Sequence, residues 1–153
     1  MLRSENDPWQ LARHQVHRRG FLAAQGDMLG AIVAVREAEG VFRERQLDSG
    51  ICISVINSAA YLLALGRLED AWERAREGLD AASRVGGSTY AAMAIGHLAE
   101  IAANCGEIHQ AARLLGWAVV VYSTTGGARE PTEQRGYERA VRISIGVWRC
   151  KAW

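Results

Sequence analysis

Tyr61-Leu-Leu-Ala-Leu-Gly66-Arg-Leu68-Glu-Asp-Ala71 decides the reading of this chain, because two other stretches repeat its pattern. They are Phe21-Leu-Ala-Ala-Gln-Gly26-Asp-Met28-Leu-Gly-Ala31 and Ile101-Ala-Ala-Asn-Cys-Gly106-Glu-Ile108-His-Gln-Ala111. The glycine, the apolar residue two later and the alanine five later keep step at an interval of 40 residues. A linked set of columns at one interval is the mark of a repeat architecture, in which each unit buries its apolar face against the next. Each glycine suits a left-handed turn that closes one helix and opens another. Each alanine suits the point where the two helices of a hairpin approach most closely.

Outward from these turns, apolar residues recur at three and four positions, and no segment alternates as a strand between hairpin turns. About seven helices are expected. Asp7 and Pro8 start the first, which runs to about Gln25, and the second follows Gly26 to about Arg45. Asp48 and Ser49 offer caps for the third, and Gly86-Gly87 ends the fourth. Ser88 or Thr89 caps the fifth, Gly126-Gly127 ends the sixth, and Pro131-Thr132 starts the seventh. The resulting fold is all-α: a right-handed α-solenoid of three helical hairpins, about 8–46, 48–86 and 88–126, plus a capping helix over about 131–149, all in one domain spanning 1–153. On that last helix Tyr137, Ala140, Val141, Ser144 and Trp148 share one face, while Glu133, Arg135, Glu138, Arg139 and Arg142 are expected toward water.

Composition narrows the function class. Hydrophobic residues are 49% and charged residues 23% of the 153, close to soluble globular averages. The formal charge of +1 supplies no general attraction to nucleic acid or anionic lipid. No apolar run approaches the roughly 20 residues that a membrane span requires, and no secretory signal is read in Met1 to Arg19. Cys52, Cys105 and Cys150 are odd in number and share no metal-ligand spacing, which suits a reducing cytoplasm.

The middle unit resembles a tetratricopeptide-type repeat. Gly66 falls on the family's turn glycine, Leu68-Glu69-Asp70-Ala71 on its apolar, acidic, acidic, alanine run, and Asn57 on an asparagine of its first helix. The interval of 40 is longer than the family's, about 34. Ala75 replaces a large aromatic, and the closing proline is absent. A narrower likeness covers Gly106 to Ile143, through Glu107-Ile-His-Gln-Ala-Ala-Arg-Leu-Leu-Gly116, Thr125-Gly126 and Glu130-Pro131-Thr-Glu-Gln-Arg-Gly-Tyr137-Glu-Arg-Ala140. This resembles the carboxy-terminal repeat region of bacterial LuxR- and AfsR-type regulators and of predicted ATPase-coupled cyclases. The resemblance implies a sensory or partner-binding appendage whose output domain lies elsewhere; no GxxxxGK[ST] phosphate loop occurs in this sequence.

In such stacks the first helix of each hairpin lines the concave side. The 40-residue offset sets His17, Asn57 and His97 in one row, Arg13, Ile53 and Met93 in a second, and Gly20, Ala60 and Glu100 in a third, with Asn104 one turn beyond. Asn57, His97 and their neighbours can hold the backbone of a peptide or a small ligand; the plain alternative is a row that only keeps a shallow groove wet. The expected function is non-catalytic binding of a protein, peptide or ligand, with no cofactor, no metal, no nucleic acid and no membrane. A rival is a homodimer joined through Trp148 and Trp153; a weaker one is a small enzyme using His97 and Glu100, three apart on a helix. His14 and His17 have helical metal spacing but no third ligand. Glu69, Asp70, Glu73, Arg74, Arg76 and Glu77 read as a solvated face on which Asp70 pairs with Arg74.

Overall fold

The computed structural model describes residue 14 and residues 18–151, with side chains described to residue 146. Within them the chain is all-α: α1 over residues 18–24, α2 Met28–Glu44, α3 Asp48–Ala64, α4 Leu68–Val85, α5 Ser88–Asn104, α6 Ile108–Thr125 and α7 Pro131–Lys151. No strand occurs among the described residues.

The three repeated turns are the same object built three times. Gly26, Gly66 and Gly106 all adopt left-handed backbone, with φ of 85°, 74° and 83°. The residue after each donates its N–H five residues back, Asp27 to Leu22, Arg67 to Leu62 and Glu107 to Ala102, at 2.9, 2.9 and 2.8 Å. These bonds satisfy carbonyls that a helix end leaves without an intrahelical partner. Ala31, Ala71 and Ala111 are fully buried, as expected for a helix contact that tolerates only a methyl group.

A second set of turns, between hairpins, keeps the same interval. Gln46, Gly86 and Gly126 have φ of 55°, 72° and 67°, so one copy holds a glutamine in the left-handed region. These turns also correct the expected helix starts. The N-cap of α3 is Leu47, not Asp48 or Ser49, and that of α5 is Gly87, not Ser88 or Thr89; neither makes a side-chain capping bond. Bonds from Leu47 N–H to Phe42 O (2.9 Å) and Gly87 N–H to Ala82 O (3.2 Å) close the preceding helices, and the chain re-enters a helix at once.

Successive helices from α2 to α7 pack in chain order, and α3 also packs on α5, as stacked hairpins do. Because α3 is flanked by α2, α4 and α5, its buried set runs around the whole helix and includes Val55, Ile56, Tyr61 and Leu62. On the side of α2 and α4, Glu39 is nearly buried and accepts from Arg43 and Arg74, while Glu77 accepts from the same two arginines. Arg74 thus bridges two hairpins instead of pairing with Asp70, which takes Arg67 at 2.5 Å.

The final helix departs from a simple end cap. Packed chiefly on α5, α7 also touches α6 and reaches back to α3. Glu130, just ahead of it, lies 3.9 Å from Arg19 of α1, whose guanidinium also donates to Tyr61 of α3 at 3.2 Å. Further along, Ala140 joins a buried cluster with Ala99 and Ala103 of α5 and Ala111 and Leu115 of α6. So α7 starts beside α1 and α3, passes over α5 and ends its described packing against α5 and α6.

Candidate binding face

The path of α7 decides the state of the expected groove. Asn57, His97 and Glu100 are 4%, 3% and 3% exposed, and Met93 is also buried. Ile53 is half-buried and Asn104 exposed, its amide donating to the Glu100 carbonyl at 2.8 Å. Arg13 and His17 lie outside the described residues, as does Trp153; the side chain of Trp148, on α7, lies outside them too. The open, wet groove expected here does not form: Asn57, His97 and Glu100 are buried, and His97 and Glu100 are roofed by the protein's own helix.

Contacts under this roof are polar and specific. Glu100 accepts from Arg139 Nε at 2.9 Å and forms an ion pair with its Nη2 at 2.8 Å. Burial pushes the Glu100 carboxyl above its ordinary value, against the downward pull of Arg139. Gly136 leaves room beside it: a Cβ there would press on Glu100 Oε2, so the carboxylate would have to shift. At the start of α7, Tyr122 donates to Glu133, and the Arg129 guanidinium lies between two aromatic faces, 4.3 Å from the Tyr122 ring centre and 4.2 Å from that of Tyr137. Burial raises Glu133 while its Tyr122 bond and Arg129 lower it. Hence Glu133 and Arg139 do not stand free in water as the helical wheel implies; α7 crosses the stack, so two of its faces meet protein.

His97, Glu100, Tyr122, Arg129, Glu133 and Tyr137 line an enclosed cavity of about 10 Å³. His97 Nε2, Arg129 Nη2 and Glu133 Oε2 make no hydrogen bond to another protein group among the described residues. Burial holds His97 neutral, its pKa lowered to about 4. With α7 seated, the space beside His97 and Glu100 is far smaller than small-molecule sites, which run to about 300 to 1,000 Å³. Among the described residues no group of three or more His, Cys, Asp or Glu could hold a metal, and no helix is long and apolar enough to cross a membrane.

A second concavity, open and about 680 Å³, lies along the outer side of α6, with Ile95, Leu114 and Trp117 beside Glu107, Gln110 and Arg113. Trp117 is 45% and Val120 59% exposed. The signal for this surface was available: Leu114 to Ala128 contains no charged residue. No family model matches the chain, and no curated protein matches it significantly.

Proposed function

We propose that this chain is a protein-interaction module: a stack of tetratricopeptide-like hairpins whose α1, α3 and α5 side grips a helix. The observation that carries this reading is α7 itself, a helix held on that side by a buried carboxylate, an aromatic-flanked guanidinium and a small-residue contact. A scaffold that holds one helix this way has the shape and the charge to hold another. Such a module fits a cytoplasmic regulatory or sensory part of a bacterial signalling or transcription regulator, with no catalytic step of its own. Selection of helical peptides displayed in a library against the full chain tests it. Captured helices should lose binding on Glu100→Gln; helices indifferent to that change and to Asn57→Ala bind elsewhere and overturn the reading.

The exposed Trp117 and Val120 favour a second reading, self-association through α6. Sedimentation across a dilution series decides it: a dimer abolished by Trp117→Arg supports pairing through this face, and a monomer at every concentration removes it.

A further inference from the structure

Resting on that binding reading, we infer that α7 is a displaceable occupant of the recognition face, competing with a partner helix that carries an arginine between small residues, in the pattern of Gly136-Tyr-Glu-Arg139-Ala140. Three features of the contact support this.

Glu100 sits almost wholly buried on α5, and among the described residues its cation comes from α7 alone. A buried carboxylate left without that cation is costly, so any helix that replaces α7 must bring a cation to the same place. Gly136 sets the second requirement. Since a Cβ there already meets Glu100, the residue three before the arginine has to be glycine, or the carboxylate has to move. Ala140, fully buried, sets the third: the residue after the arginine must be small.

The contact can also open as a unit: of the consecutive helix pairs from α2 onward, α6 and α7 pack together least, and α7 is seated chiefly on α5. Its apolar seat is one cluster, Ala140 with Ala99, Ala103, Ala111 and Leu115, while its start brings Glu133 to the polar groups of His97 and Tyr122. Residues 127–130, opened by left-handed Gly126, carry α7 away from α6 and can swing it off without disturbing the repeated turns.

A fluorescent peptide spanning residues 128–146 tests this on the full chain. The variants are Arg139→Ala, which weakens the seat of α7 while leaving Glu100 in place, and Arg129→Ala, which frees its start. Apparent affinity scales with the fraction of chains whose face is open, so both should bind the peptide about tenfold tighter than the original chain. A peptide with its own Arg139→Ala should bind none of the three. Equal affinity for all three chains overturns the competition and leaves the binding reading standing. Capture of the altered peptide overturns the arginine requirement. Failure of every chain to bind removes both. Hydrogen exchange on the unaltered chain decides the matter without a variant: amides of α7 should exchange ahead of those of α3 and α5, and exchange in one step with them overturns the inference.

Discussion

The two sides of the stack solve the same packing problem with opposite chemistry. Toward α7 the stack buries His97 and Glu100 beneath a helix that supplies one cation, Arg139, to the carboxylate. Toward α2 and α4 it gathers charge into a network, where buried Glu39 and half-exposed Glu77 each accept from Arg43 and Arg74. One repeat on, the positions of Arg74 and Glu77 are Leu114 and Trp117, and beside them the surface opens into the concavity along α6. A buried carboxylate with a single cation directs a helix to one seat; a network that shares two carboxylates between two arginines specifies less, because each charge keeps a second partner. The repeat thus sets the backbone, while the chemistry of each seam is free to vary.

The largest expected effect tests the buried side. Folded His97 has a pKa near 4, below its ordinary 6.5, so as pH falls through that window the unfolded chain takes up the proton first and stability drops. The loss should be about 3 kcal/mol between those values. Glu100 and Glu133, both raised, act in the opposite direction, holding protons in the folded state that the unfolded chain releases. Denaturant unfolding of the original chain against His97→Gln isolates the histidine, because the carboxylates are common to both. A constant difference across the window would show that His97 is solvated.

Next comes Arg139→Ala, which strips Glu100 of its cation. The expected cost at pH 7 is about 2 kcal/mol, under the range for wholly buried pairs because 41% of the Arg139 side chain is exposed. The cost should shrink on acidification as Glu100 becomes neutral; a cost that grows at low pH would contradict the burial of this pair.

On the other side, Glu39→Gln removes the acceptor shared by Arg43 and Arg74. About 1.5 kcal/mol should be lost, held down because Glu77 still accepts from both arginines. If the loss exceeds that of Arg139→Ala, the contrast between the two sides fails. The smallest effect concerns the turns. Gln46 holds φ of 55°, where its repeat equivalents are glycine. Gln46→Gly should raise stability by about 0.5 to 1 kcal/mol, relief of the left-handed strain outweighing the added freedom of the unfolded chain. Thermal unfolding measures it, and no gain would mean that the glutamine side chain stabilises the turn by other contacts.

Most of the architecture was legible in advance. Paired columns of glycine and alanine predict the hairpin turns, and the breaks at Gly86, Gly126 and Pro131 place helix ends where they are found. A row through Asn57 and His97 was legible only as an expectation, from the equal offset between helices. Its burial was not. A helical wheel treats α7 as having one neighbour, and so sends Glu133 and Arg139 to solvent. The wheel fails because α7 meets α5 and α6 on different faces while reaching α3. The starts at Leu47 and Gly87 escaped for a related reason: no side chain caps them, and the turn before each already directs the chain into the next helix.

Sequence alone determined the helices, the interval at which they recur and the small residues at their contacts, because these follow from backbone conformation and local periodicity. Tertiary structure alone decided that α7 crosses the stack and covers His97 and Glu100. That outcome depends on which distant surfaces Arg129, Gly136 and Arg139 can reach together, and no local pattern encodes such a distance.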